Sequence, residues 1–206
     1  MPITSNIDKL HEMQLSWYNW RNNASTLTMV LLSFVFACFT GLMAQVSIAV
    51  PWSPVLITFQ TFAVLLAGVF LGGKYGGFSI FLYTLLGVLG MPWFTNMNHG
   101  LAFLFAASGG YIIGFIVAAA FIGYMFDHYV NARKPAQTVA LMLIANFVCI
   151  YIPGLIGLYN AMLTKTGTAL SIPELLFMGL VPFIVGDLIK IALASGITTS
   201  VLPKEE

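Results

Sequence analysis

Residues 26–46 read TLTMVLLSFVFACFTGLMAQV, an apolar run without a single formal charge. About 20 such residues suffice for a helix to cross the hydrocarbon core of a bilayer. The run is the first of several. No formally charged residue lies between Arg21 and Lys74, nor between Lys74 and Asp127. Over all 206 residues, 59% are hydrophobic and only 7% are charged, against about 25% charged in a typical soluble domain. That is too few ions to cover a water-facing surface, which excludes an ordinary soluble globule and a disordered chain. A nucleic-acid binder is excluded as well, because basic patches need Lys and Arg in numbers. With 8 Lys+Arg against 7 Asp+Glu, charge is scarce rather than biased.

Turn signals divide the chain into expected spans, giving an all-α integral membrane protein with six transmembrane helices. Span 1 is residues 26–46. Pro51-Trp52-Ser53-Pro54 then imposes a turn, since proline lacks an N–H and restricts its predecessor. Span 2 covers 57–71, and Gly72-Gly73-Lys74-Tyr75-Gly76-Gly77 forms a tight hinge before span 3, which ends near Gly90. Residues 92–100 form a loop, and 101–107 either dip back or lie in the interface. Span 4 is 108–126, and span 5 is 136–158 with a kink expected at Pro153-Gly154. Residues 173–180 form a short interfacial helix, and span 6 is 181–201, with Pro182 in its first turn.

The domain plan is an amphipathic segment over 1–25 and a six-helix domain over 26–203. In the first segment Leu10, Met13, Trp17 and Trp20 recur at helical spacing, which suits the membrane interface. No short apolar core with a cleavage site precedes span 1, so a signal peptide is not expected. Lys and Arg prefer the cytoplasm. Lys9, Arg21, Lys74, Arg133, Lys134 and Lys204 fall on the side of the termini, and only Lys165 falls opposite. Both termini are therefore expected in the cytoplasm, in a multi-pass protein of the plasma membrane.

The strongest chemical signal is Asp187 with Lys190, charges inside the last span. At i,i+3 they share a helix face. Ionisable groups at such depth are costly unless paired or lining a cavity, and they mark functional sites. Gln60 at the outer end of span 2, Asn96 and Asn98 in the outer loop, and Tyr111 one turn into span 4 lie near the same level. Together they suit a small ligand with a polar head, with Trp52, Trp93 and Phe94 as expected apolar walls. Ser33, Ala37 and Gly41 form a small-residue stripe on span 1, and Gly110, Gly114 and Ala118 form another on span 4. Such stripes permit close helix approach in lipid, either within the bundle or as a docking face for another membrane protein. The docking alternative is stronger for span 1 than for span 4. No metal site is expected, since Cys38 and Cys149 stand alone. Gly68-Val69-Phe70-Leu71-Gly72-Gly73-Lys74 mimics a phosphate-binding loop, yet Tyr75 replaces the Ser or Thr that would hold magnesium. Ala106-Ala107-Ser108-Gly109 hints at a serine nucleophile, but none of His11, His99 and His128 lies in spans 5 or 6 to serve as base.

Several motifs resemble the BioY family, substrate-capture (S) components of energy-coupling-factor (ECF) transporters. They are Val50–Gly68 (VPWSPVLITFQTFAVLLAG), Tyr83–Phe94 (YTLLGVLGMPWF), Ser108–Phe115 (SGGYIIGF) and Pro182–Lys190 (PFIVGDLIK). The resemblance covers nearly all of residues 30–195. It implies six helices, with biotin bound with high affinity near the outer surface and taken up across the plasma membrane. Asp187 and Lys190 match the family's ligand-contacting acid and base, Asn96 matches a polar contact, and Gln60 lies in a loop-adjacent motif. The Ser33, Ala37 and Gly41 stripe matches the face used against a transmembrane coupling subunit, itself served by two ATPase subunits. No cofactor, no nucleic acid and no enzymatic activity are implied. The chain departs from the family at Ala106-Ala107-Ser108-Gly109-Gly110, where Gly-Pro-Thr-Gly-Gly is usual, and at Asn98-His99. Two rivals compete with this reading. A self-sufficient secondary transporter would show paired discontinuous helices in related halves, and no internal repeat is evident. An intramembrane enzyme lacks a catalytic set.

The charge bias makes a direct prediction. Cysteines placed at Ser53 or Thr166 should react with an impermeant thiol reagent on intact cells, and one at Asn131 should not. The reverse pattern would invert the assigned orientation.

Overall fold

The computed structural model describes residues 2–204, with side chains from Lys9 onward. Five helices are long and apolar enough to cross a membrane: Thr26–Gln45, Gln60–Val88, Gly109–His128, Pro135–Thr166 and Ile172–Val201. The elements in order are α1 (Pro2–Asn23), α2 (Thr26–Gln45), β1 (Ser47–Ile48), β2 (Ile57–Thr58), α3 (Gln60–Val88) and α4 (Gly109–His128). They continue with α5 (Pro135–Ile144), a π-helical segment (Ala145–Ile150), α6 (Tyr151–Thr166), α7 (Ile172–Gly179) and α8 (Ile184–Val201).

α3 is not one straight rod. In a continuous helix residues 60 and 83 would stand about 35 Å apart, at 1.5 Å per residue. Here Gln60 Nε2 donates to Tyr83 Oη at 2.8 Å. The helix reverses at Gly72, whose φ of 75° and ψ of 179° belong to glycine. The five apolar helices thus give six passes. The expected hinge over 72–77 contracts to this single residue, and Gly73–Gly77 are already helical. Two charges close the turn. Asp127 Oδ2 accepts the Gly73 N–H at 2.9 Å, at the start of the second limb. Arg21 Nη1 donates to Val69 O at 3.3 Å, at the end of the first limb. Each side chain thereby satisfies a backbone group that helix ends leave open, and the two charges pair at 2.5 Å. Gly123 of α4 lies against the backbone of Gly72 and Gly73, where a Cβ would sit 2.2 Å from the Gly72 carbonyl carbon.

α2 starts at Ser25, whose Oγ accepts the Thr28 N–H at 3.1 Å. Its buried face is Met29, Ser33, Ala37, Thr40, Gly41 and Ala44. This corrects the docking expectation for Ser33, Ala37 and Gly41, which turn inward and pack the bundle. Ser33 Oγ donates to Tyr75 O at 3.2 Å, and a Cβ on Gly41 would lie 3.0 Å from Trp93 Cβ. The lipid-side face of α2 carries Leu27, Leu31, Phe34, Val35 and Leu42 instead. In α4, Gly110 meets Pro153 and Gly157 of α6, and Gly114 meets Cys149 and Ile150.

The expected turn at residues 51–54 is the tip of a small antiparallel hairpin pairing Ser47 with Thr58 and Ile48 with Ile57. After α3, short 3-10 turns at Thr95–Met97 and Leu101–Phe105 form a cap at the same end. Gln45 braces this cap, donating to Trp93 O and Phe94 O at 3.1 and 3.0 Å and accepting the Met97 N–H.

The irregularity expected at Pro153-Gly154 lies upstream, as the π-helix over 145–150. Pro153 lies three residues past its end and has no N–H to offer the carbonyl four residues back. Gly167, with φ of 71°, ends α6, eight residues beyond the expected end of span 5 at 158. α7 opens with a capping box in which Ser171 Oγ and N–H both meet Glu174 Oε2.

α1 closes the other end of the bundle. Gln14 Nε2 donates to Ser200 O at 3.0 Å, so α1 and the end of α8 share one side. The Tyr18 ring is clasped between the Arg21 and Arg133 guanidinium groups, 4.8 and 4.4 Å from its centroid. Leu10, Met13 and Trp20 remain exposed on α1.

Two predictions follow from the close approaches. Gly72→Ala should destabilise the detergent-purified chain by about 1–3 kcal/mol through forced φ alone, with overlap against Asp127 added. Gly167→Ala, with nothing within 4 Å of its would-be Cβ, should cost less, and thermal unfolding of both variants checks the order. Gly41→Trp should likewise lower the unfolding temperature strongly, and an unchanged midpoint would place Trp93 elsewhere.

Candidate functional site

At the end of the bundle away from the termini lies a narrow, partly open cleft. β2 and the start of α3 supply Thr58, Gln60 and Thr61, and the first turn of α8 supplies Asp187, with Lys190 one turn on. α4 adds Tyr111, Ile112 and Phe115. The walls are mainly apolar, with Val55, Leu56, Phe103, Ile150 and Phe183 around the polar floor.

The floor is a buried ion pair. Asp187 is 1% exposed and Lys190 4%, and Lys190 Nζ lies 2.6 Å from Asp187 Oδ1. Lys190 also donates to Thr58 O at 2.8 Å. An ammonium has three donors, and these two acceptors leave one unengaged. Asp187 Oδ1 also accepts from Thr61 Oγ1 at 3.4 Å. Its Oδ2 accepts from Asn146 Nδ2 at 2.9 Å and from the Tyr151 hydroxyl. Removing one partner of such a pair costs about 3–5 kcal/mol, because the other is left buried and uncompensated.

Of the residues expected at the site, Asp187, Lys190, Gln60 and Tyr111 line this one cleft. Gln60 is held from both sides, donating to Tyr83 Oη and accepting from Thr58 Oγ1 at 3.0 Å. The Tyr111 hydroxyl donates to Gly179 O at 2.7 Å, and its ring faces Tyr151 edge-on. Asn96 does not reach the cleft. With φ of 59° it sits in the cap, where it lines an adjoining outer groove with Asn98 and Lys165. The groove and the cleft share Leu56, Thr95, Phe103 and Ser108.

The expected walls are also corrected. Trp52 is 52% exposed and packs on Phe177 of α7. Trp93 is buried beneath Tyr83, donating from Nε1 to Tyr83 O at 2.9 Å. Phe94 stacks on Phe103 from behind, 4.9 Å between centroids. Sequence reasoning missed Thr58, Thr61, Thr95, Asn146 and Tyr151. The one available signal was Asn146, an amide in the middle of an uncharged apolar run.

This architecture and this site can be set beside known proteins. A sequence model of the BioY family matches residues 15–205. The probable biotin transporter BioY of Methanothermobacter thermautotrophicus is 46% identical over 140 residues, 68% of this chain and 89% of that protein. The biotin transporter BioY of Rhizobium etli is 30% identical over 172 residues, 83% of this chain and 90% of that protein. The crystal structure of the S-component for biotin from an ECF-type ABC transporter matches with a TM-score of 0.74. That match has 24% identity and covers 86% of this chain and 92% of the other, which is a likeness of fold. With a family match spanning nearly the whole chain, this protein belongs to the BioY family.

Proposed function

We propose that the chain binds biotin in the cleft over Asp187 and Lys190 and serves its uptake as the S component of an ECF-type transporter. The observation that carries this reading is the buried pair at the floor of an otherwise apolar cleft. Biotin has a cyclic urea at one end, whose N–H groups need an acceptor and whose carbonyl needs a donor. Asp187 Oδ1 and the free Lys190 proton supply both. Its thioether ring and aliphatic chain suit Phe103, Phe115 and Phe183.

Lys190 already serves Asp187 and Thr58 O, so it meets the urea end rather than the carboxylate. The carboxylate then points toward the outer groove, where Asn96 and Lys165 stand. In this reading Asn96 is an entry contact, and Tyr111 contributes its ring.

Capture alone does no net work. Accumulation needs a transmembrane coupling subunit and two ATPase subunits, which read the state of the bundle from its membrane-embedded flank. The inward turn of Ser33, Ala37 and Gly41 moves that contact to other residues. The site lies at the end opposite the termini, and we place it outside the plasma membrane, with the termini in the cytoplasm.

Titration calorimetry of the detergent-purified chain tests the ligand. Biotin should bind, and vitamins without a cyclic urea should give no heat. Charge-assisted hydrogen bonds contribute about 1.5–3 kcal/mol each, so Asp187→Asn should weaken biotin roughly tenfold to hundredfold. Unchanged affinity in the folded variant sinks the assignment. Vesicles holding this chain alone should bind biotin without concentrating it, and accumulation in them would favour a self-sufficient transporter.

A further inference from the structure

Two side chains from one short stretch of chain support Asp187. Asn146 Nδ2 and the Tyr151 hydroxyl both donate to the same oxygen, Oδ2. The donors are five residues apart. In an α-helix, at about 100° per residue, positions i and i+5 point about 140° apart and cannot converge on one atom. The intervening segment is π-helical, and the Tyr151 N–H reaches back to Asn146 O. Closing the turn from i to i+5 brings both side chains to one side.

Asn146 does not line the cleft. It is fully buried behind it, and its Oδ1 has no hydrogen-bond partner. A buried amide oxygen left unpaired carries a desolvation cost, which an aliphatic residue of the same size would avoid. Turning the amide over would set its oxygen against the carboxylate, so Nδ2 is fixed toward Asp187. The residue is explained by its bond to the acid and not by its packing. Tyr151 is held separately by its ring, stacked on Phe147 with centroids 5.4 Å apart.

We propose that Asn146 and Tyr151 are positioning residues for ligand recognition, brought together by the π-helix to occupy Oδ2. The proposal rests on the reading of the cleft as a cyclic-urea site. With Oδ2 held by Asn146 from behind the cleft and by Tyr151 at its wall, the carboxylate cannot rotate to offer it. Oδ1, which also accepts from Thr61 at 3.4 Å, stays paired with Lys190 Nζ at 2.6 Å. The cleft thus presents one acceptor and one donor side by side, the complement of an adjacent N–H and C=O. A carboxylate ligand of similar shape without the urea offers no N–H for Oδ1 and repels Asp187. The pair therefore sets specificity without touching the ligand through Asn146.

A double-mutant cycle on the full detergent-purified chain tests this, with biotin affinity read by calorimetry. Tyr151→Phe and Asn146→Leu should each weaken biotin about tenfold, the size expected for one hydrogen bond to a charged group. In an Asp187→Asn background the same changes should matter less than about twofold, because groups that act through one atom are not additive. Equal losses in both backgrounds would reduce the two residues to general packing and overturn the proposal, as would single variants with full affinity. If the parent chain itself fails to bind biotin, the cyclic-urea reading falls and takes the proposal with it. Failure of the cycle in a binding parent refutes the positioning role alone.

Discussion

A carboxylate and an ammonium buried in a bundle of Leu, Ile, Val and Phe constrain everything around them. Neither can be left unpaired in lipid without severe cost, and their mutual attraction alone rarely offsets desolvation. The remaining hydrogen-bonding capacity must be filled by the fold. Here the fillers come from four places: Thr58 from the β1–β2 hairpin, Thr61 from the first limb of α3, and Asn146 and Tyr151 from either end of the π-helix. The hairpin, the start of α3 and the π-helical break are therefore all tied to α8 through one pair of side chains. What surplus capacity remains, the third Lys190 donor and the edge of Oδ1 not taken by Lys190, belongs to two residues that line the cleft.

The opposite end of the bundle uses similar chemistry for a different purpose. Arg21 and Asp127 also pair, but their spare capacity goes to backbone groups, Val69 O and Gly73 N–H, on either side of Gly72. The result is a staple across a helical reversal. The first limb of α3 is thus pinned at both ends, by this staple below and by Gln60 to Tyr83 above. That limb carries Gln60 and Thr61 into the cleft, so the two ends of the molecule share one rigid strut.

Much of this was legible in the sequence, for reasons that can be given residue by residue. Asp187 and Lys190 stand out because charge is rare in an apolar run, and helical spacing already puts them on one face. Gly72-Gly73 announced a reversal, but not that it would be completed within one residue. That tightness depends on Asp127 and Gly123, which are distant in sequence and meet the turn only in the fold. The stripe of Ser33, Ala37 and Gly41 said that something approaches α2 closely. Spacing could not say whether that was a partner or Trp93 and Tyr75 of the same chain. Asn96 was placed at the site by its neighbourhood in sequence, yet the cap holds it in a left-handed conformation that aims it at the groove outside.

Asn146 and Tyr151 mark where periodicity fails. Sequence reading assumes 3.6 residues per turn, and on that wheel the two residues fall on different faces. A π-helix changes the period for a few residues only, too few to leave a pattern, and such breaks favour functional sites because they aim side chains that a regular helix cannot. The break costs regular backbone hydrogen bonding, and Asn146 adds an unpaired amide oxygen. Both costs fall on the same stretch, directly behind the acid at the floor of the cleft. A bundle without a buried acid at this level would have no use for either, since a regular helix and an aliphatic residue would pack there. Their coincidence at Asp187 is understandable when the geometry of one carboxylate matters more than the stability of the segment that holds it.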